Sequence, residues 1–333
     1  MKTAVVALTR GGRELAERIA GGLENCELCG LAGGVMFALP SLWARFDGLI
    51  CVMAAGIVVR AIAPLCRDKK RDPCVLVLDE NGQFVISLLS GHLGGGNVLA
   101  RKVAAITGGT PVITTASDVT GHTALDLWAA ENNLRVQNPQ RLSGVSAKLV
   151  NEGELSIFST LECGSLPVDF KVVTEPALAD IILSYGAIDP LEYPDALMLC
   201  PCNLYLGLGC NRGATAADFE RAITELCGQY CLDRRAIAGI ASIDLKADEA
   251  GMLQFANDTN LPIRFYSKDE LNRVEGASYS SAVMAATGAR SVAEPAAMLA
   301  AGDGTTLGQL IVRKIKWKNV TAAVAEQKLT DMA

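Results

Sequence analysis

Leu49-Ile-Cys-Val-Met-Ala-Ala-Gly-Ile-Val-Val-Arg60 is the stretch that settles the fold class. Its apolar part, Leu49 to Val59, stops at Arg60 after eleven residues, well short of the ~18 to 20 that a membrane-spanning helix needs. A buried strand that turns into a helix near Gly56 accounts for it instead. The same rhythm continues on both sides. Thr3 to Leu8 is a strand leading to a helix over Gly11 to Ala20, and Asn81-Gly82 is a type I′ hairpin signal joining Cys74 to Asp79 with Gln83 to Leu88. Gly91 to Gly96 opens a helix reaching about Ile106, Pro111 to Ile113 is a strand, and Ala124 to Asn132 a helix.

From about Pro139 to Pro201 the signals are short and broken by prolines, which predicts a small region with one helix and several strands. Asn203 to Leu208 restarts the α/β pattern. Thr215-Ala-Ala-Asp218 and Ser267-Lys-Asp-Glu270 are capping boxes, Ser291-Val-Ala-Glu294 starts a further helix, and Gly308 to Val312 with Val320 to Val324 are closing strands. The expected architecture is α/β: two larger three-layer α/β domains, over 1–135 and 202–333, joined by a small middle region over 136–201.

Composition agrees. In 333 residues, 50% are hydrophobic and 20% charged, a globular balance with material for more than one core. A net charge of −6 and 5% aromatics exclude a sequence-independent nucleic-acid binder and base-stacking platforms. Basic sites must then be local. Arg60 with Arg67, Lys69, Lys70 and Arg71 is one cluster, and Arg313 with Lys314, Lys316 and Lys318 another; the plainer reading of each is a solvated face. The 11 cysteines, several inside apolar runs, point to a reducing cytoplasm. Cys26-x-x-Cys29 has no second such pair, and His92 and His122 are the only histidines, so no metal site is expected. Ala4 to Leu8 is too short an apolar core for a signal peptide.

Four stretches carry chemistry. Ser90-Gly-His-Leu-Gly-Gly-Gly-Asn97 joins a β-rich run to a helix, with backbone N–H groups bared by glycine around His92. Thr114-Thr-Ala-Ser-Asp118 follows a strand, where open α/β sheets place ligands. Met53-Ala-Ala-Gly-Ile-Val-Val-Arg60 sets a basic side chain one turn into a helix, suited to a carboxylate. Gly207-Leu-Gly-Cys-Asn-Arg-Gly213 invites a dinucleotide reading, but its third glycine falls one residue late and the acid ending the next strand is Asp244, well past the ~20 residues expected of a ribose-binding acid.

The runs Met53 to Arg60, Val85 to Asn97 and Pro111 to Asp118 resemble the cobalt-precorrin-5A hydrolases of anaerobic cobalamin biosynthesis. Gly207 to Gly213, Ala241-Ser-Ile-Asp-Leu-Lys-Ala-Asp248, Phe265-Tyr-Ser267 and Ser291 to Glu294 resemble that family's C-terminal domain, so the likeness spans Met1 to about Ala325. The resemblance implies hydrolysis of the ring A δ-lactone of a cobalt-bearing corrinoid, with the former bridging carbon and its methyl group leaving as acetaldehyde. Cobalt enters within the substrate, and no other cofactor is implied. The family's C-terminal domain is similar to a stand-alone protein of the aerobic pathway, which places catalysis in the N-terminal domain. His122 stands where the family is not expected to carry histidine.

Such chemistry needs an activated water, donors for an oxyanion and a group that moves protons. His92 is the expected proton-transferring residue and Asp118 its orienting partner, with N–H groups around Gly94, Gly95 and Gly96 on the oxyanion or a carboxylate. Substrate contacts are expected from Gly56, Arg60, Gly91, Gly94, Gly95, Gly96, Asn97, Thr115, Gly209, Arg212 and Lys246. The expected partner is a cobalt-corrinoid small molecule, neither nucleic acid nor membrane; self-association and contact with neighbouring pathway enzymes stay open. The competing reading is a non-catalytic corrinoid carrier with His92 as an axial cobalt ligand.

Overall fold

The computed structural model describes residues 1–68, 71–92, 94–189, 191–329 and 332. Lys69 and Lys70 of the first basic cluster, and Leu93 of the glycine loop, lie outside the described residues. The chain divides into two compact units, Met1–Leu127 and Trp128–Ala333.

The first unit runs β1 (Thr3–Ala7), α1 (Arg10–Gly22), β2 (Cys26–Leu28), α2 (Val35–Trp43), β3 (Gly48–Val52), α3 (Ala55–Ile62), β4 (Cys74–Leu78), β5 (Phe84–Leu89), α4 (Gly96–Thr107), β6 (Thr110–Val112) and α5 (Ala116–Thr120), with α6 (Leu125–Glu131) crossing into the second. Its sheet has the order β2-β1-β3-β4-β5-β6. β3 and β4 are buried at every position, as strands covered on both faces must be. Leu39, Leu42, Val58 and Ile62 of α2 and α3 cover one face, and Leu15, Ile19, Leu99 and Val103 of α1 and α4 the other.

β4 and β5 pair antiparallel, with Val75 opposite Leu89 and Leu78 opposite Val85. The hairpin exists but its turn is not type I′, which needs two consecutive left-handed residues. Gly82 alone is left-handed (φ 69). Both oxygens of the Asp79 side chain close the loop instead, accepting from the Asn81 N–H at 2.9 Å and the Phe84 N–H at 2.7 Å.

The second unit holds two sheets. β7 (Leu134–Val136), α7 (Pro139–Glu152), β8 (Leu155–Ser159), β9 (Phe170–Val172), β10 (Ile181–Leu183) and β11 (Leu197–Pro201) form one, ordered β7-β11-β10-β8-β9. The other is ordered β14-β13-β12-β16-β15. Its elements are β12 (Leu204–Cys210), α8 (Ala216–Gln229), β13 (Ile237–Ile243), α9 (Ala250–Asp258), β14 (Ile263–Tyr266), α10 (Lys268–Arg273), α11 (Ser281–Thr287), α12 (Ala293–Ala300), β15 (Gln309–Lys316) and β16 (Val320–Glu326). The capping boxes of Thr215 with Asp218 and Ser267 with Glu270 are both closed reciprocally.

α12 begins without a side-chain cap. Glu294 is only 1% exposed, and its two oxygens accept the N–H groups of Ser278 (2.6 Å) and Lys314 (3.0 Å), tying α12 to β15 and to the loop before α11. Burial alone would raise its pKa, yet these N–H groups hold it below the ordinary 4.5. A folded-state pKa below the unfolded one contributes stability that is present above about pH 4.5 and lost as pH falls through the folded value. Glu294→Gln should therefore be less stable than wild type at pH 7, with the difference shrinking only as the pH falls below about 4.5. Urea midpoints for both proteins across the range test this, and parallel curves would contradict it.

Candidate active site

Because β5 runs against β4, the loop after β5 emerges at the amino edge of β1, β3 and β4. β6 is parallel to β5, so the segment after it reaches the same edge. These two segments bring His92 and Asp118 together: His92 Nε2 lies 2.8 Å from Asp118 Oδ2. On the ring's other side Nδ1 lies 3.3 Å from Asp126 Oδ1. The three side chains are largely shielded, at 17%, 21% and 16% exposure.

Asp118 is held from further directions. Asn97 Nδ2 donates to Oδ2 at 2.8 Å and also to Thr115 Oγ1 at 3.2 Å, and Arg101 Nη2 donates to Oδ1 at 3.1 Å. Both Asp118 oxygens are thus engaged, which makes it a fixed anion and orienter. Asn97 is 5% exposed, and its Oδ1 accepts no hydrogen bond among the described residues. Asp126, in the first turn of α6, takes the Leu127 N–H on the oxygen that faces His92.

The loop glycines answer to packing within the loop. A Cβ on Gly91 would meet Asn97 Oδ1 at 2.6 Å, and one on Gly94 would meet the Ser90 carbonyl oxygen at 2.6 Å. Ser90 (φ 52) and Gly95 (φ 75) are left-handed. The tight path turns N–H groups inward: Gly95 donates to the His92 carbonyl (2.7 Å), Gly96 to that of Ser90 (3.1 Å) and Asn97 to that of Gly91 (2.8 Å). The expectation that Gly95 and Gly96 offer free donors to an oxyanion is corrected on this ground. Gly94 also borders a groove of about 490 Å³ that Trp43, Arg45 and Arg71 line.

Gly56 and Arg60 do not join this cluster. They follow the carboxyl end of β3, at the opposite edge of the sheet, roughly 15 Å away for a strand of five residues. Arg60 Nη1 donates to the Gly56 carbonyl at 2.9 Å, so the guanidinium serves its own helix. His122 lies between α5 and α6.

Gly209, Arg212 and Lys246 lie in the second unit, where they border a cavity of about 550 Å³ at the carboxyl ends of β12 and β13. Arg212 pairs with Asp248 (2.5 Å) and lies 3.6 Å from Glu249, which Lys246 reaches at 3.1 Å. Glu249 also accepts the Gly213 N–H at 2.8 Å. Burial would raise the Glu249 pKa, but these partners hold it below the carboxylate range.

Asp126 and Arg101 escaped the sequence reading. An acid in the first turn of a helix looks like a dipole partner, and an arginine on an amphipathic helix like surface. Among the described residues no group of three or more His, Cys, Asp or Glu is placed to hold a metal ion, and no helix is long and apolar enough to cross a membrane.

Comparison with known proteins agrees with this organisation. The family described as Cobalamin synthesis G N-terminal matches residues 38–118, and Cobalamin synthesis G C-terminus matches 204–325. A cobalt-precorrin-5A hydrolase of Priestia megaterium is 34% identical, covering 97% of this chain and 94% of its own. Another, of Salmonella typhimurium, is 33% identical over 96% and 95%. Protein CobE of Sinorhizobium sp is 37% identical over 37% of this chain and 79% of its own. Two relatives above 30% identity, each matched over nearly its whole length, decide the matter: the chain belongs to the cobalt-precorrin-5A hydrolase family.

Proposed function

We propose that this chain is a hydrolase of cobalamin biosynthesis that opens the ring A δ-lactone of cobalt-precorrin-5A, giving cobalt-precorrin-5B and acetaldehyde. Likeness to two curated hydrolases over nearly the full chain supports the reaction and disfavours the carrier reading. The observation that carries the site is His92 held between two carboxylates, at 2.8 and 3.3 Å.

The roles follow from that geometry. With Nε2–H donated to Asp118, Nδ1 is the nitrogen that takes a proton from the attacking water. Asp126 then faces the imidazolium so formed and stabilises it. Arg101 supplies the positive charge nearest the cluster, for the oxyanion or the released carboxylate. When the lactone opens, the released alkoxide collapses to acetaldehyde, its carbon–carbon bonding pair passes into the conjugated macrocycle, and the same ring returns its proton to the macrocycle. Arg45 and Arg71, with the Trp43 ring, are suited to the carboxylate arms and apolar face of the substrate.

The proposed partner is this cobalt-corrinoid; the cobalt comes with it, and no resident cofactor, nucleic acid or membrane enters the reading. Eleven free cysteines favour a reducing cytoplasm as the compartment. Incubation of the purified protein with the lactone substrate tests the proposal. Acetaldehyde at many turnovers is the expected outcome. A stoichiometric change in the cobalt absorption spectrum without product would make the chain a carrier.

A further inference from the structure

A neutral imidazole carries its proton on one of two nitrogens, and His92 has a carboxylate beside each: Asp118 at 2.8 Å from Nε2 and Asp126 at 3.3 Å from Nδ1. The two sides differ in how the carboxylate is held. Asp118 Oδ2, the oxygen that faces the ring, also accepts the Asn97 amide at 2.8 Å. That carboxamide has one orientation open to it. Turned over, it would set Oδ1 against the Asp118 carboxylate, acceptor against acceptor. Nδ2 therefore faces Asp118 and Thr115, while Oδ1 is buried with no hydrogen bond among the described residues. Gly91 is what makes room for it. A Cβ there would meet Asn97 Oδ1 at 2.6 Å and both Cγ and Nδ2 at 3.1 Å. Gly91 is not among the left-handed residues, so the space and not the backbone angle requires glycine.

We infer that Asn97 and Gly91 are positioning residues for His92 rather than contacts to substrate. Asn97 keeps Asp118 Oδ2 turned to Nε2, which favours the tautomer with its proton there and leaves Nδ1 as the acceptor. Gly91 keeps the space that this amide occupies. An alanine at 91 would push the carboxamide off Asp118 and Thr115, because the end of a side chain yields before backbone does. The consequence for turnover rests on the proposed hydrolysis; the consequence for the tautomer does not.

The experiment uses the full chain, isotope-labelled in the nitrogens of its histidine rings, and reads the tautomer by nuclear magnetic resonance. His92 and His122 are the only histidines, so a His122→Ala spectrum assigns both rings. At about pH 9, above the ordinary histidine range, wild type should show His92 mainly as the Nε2–H tautomer. Asn97→Ala and Gly91→Ala should each lower the tautomer ratio by about fivefold, as the loss of one hydrogen bond allows. The double variant should go no further, because both changes act on one amide. Asn97→Asp keeps the size of the side chain and removes its donors, and should shift the ratio as well. In acetaldehyde release, each single variant should lower kcat by about tenfold with KM unchanged, part of what loss of the base itself would cost. Wild-type tautomer ratios in the variants, a His92 ring protonated on Nδ1 in wild type, or a raised KM with unchanged kcat would each overturn the inference. A wild type that releases no acetaldehyde would remove the hydrolase reading and leave the tautomer ratios to decide the positioning role.

Discussion

His92→Ala is expected to lower acetaldehyde release by on the order of a hundredfold or more while corrinoid binding persists, the usual scale for losing a general base. The ring is the proton-exchanging group of the cluster, anchored through Nε2 to Asp118 at 2.8 Å and flanked at Nδ1 by Asp126 at 3.3 Å. Asp118 itself is poorly suited to the task, because both its oxygens already accept from His92, Asn97 and Arg101. Asp126→Asn should have a smaller effect, confined to kcat, since it removes only the charge that faces the protonated ring. His122→Ala should be close to neutral. Single-turnover measurement with pre-bound substrate separates chemistry from binding. Near wild-type turnover in His92→Ala would remove it as the base and pass that role to Asp126.

The same residues show how far a sequence carries. The strand-to-helix junction at Gly56 and the capping boxes at Thr215 and Ser267 were legible because their signals are local: an apolar run, a small residue, a hydroxyl three positions before an acid. The Asn81-Gly82 hairpin was legible as well, but not which edge of the sheet each later loop would reach. His92 and Asp118 could each be singled out, but that they meet was not legible: the directions of β5 and β6 bring them to one edge. β5 runs antiparallel to β4, which sends the His92 loop to the edge opposite Gly56 and Arg60 and divides one expected site in two. Glycines in a row read as bared backbone, but whether their N–H groups face outward depends on the turn, and here Ser90 and Gly95 fold them inward. Lys314, Lys316 and Lys318 look like a solvated face until the hairpin of β15 and β16 sets them beside a cavity.

Gly207→Ala is expected to destabilise the second unit by about 3 kcal/mol or more, at the upper end of overpacking costs. A Cβ there would lie 1.8 Å from the carbonyl oxygen of Ala293 and 2.6 Å from the nitrogen of Ala297. Both atoms are backbone of α12, so no side-chain rotation relieves the clash, and the helix must move off β12. That helix presents Ala293, Ala296, Ala297 and Ala300, all at most 2% exposed, which is how it approaches the strand so closely. The glycine that invited a dinucleotide reading is therefore a packing requirement. Its neighbours in the run differ in cause and in expected cost. Gly209→Ala would meet only the Thr321 hydroxyl, a side-chain atom that can turn away. Gly213→Ala meets open space but places a side chain at φ +78, costing about 1 to 2 kcal/mol. Gly144→Ala, inside α7 with nothing within 4 Å, should stabilise by about 0.5 to 1 kcal/mol. Urea unfolding of the four variants should rank Gly144, wild type, then Gly209 and Gly213, with Gly207 far below. A Gly207→Ala protein as stable as wild type would mean that α12 does not press on β12 as described, and the small-residue run in the helix would lose its explanation.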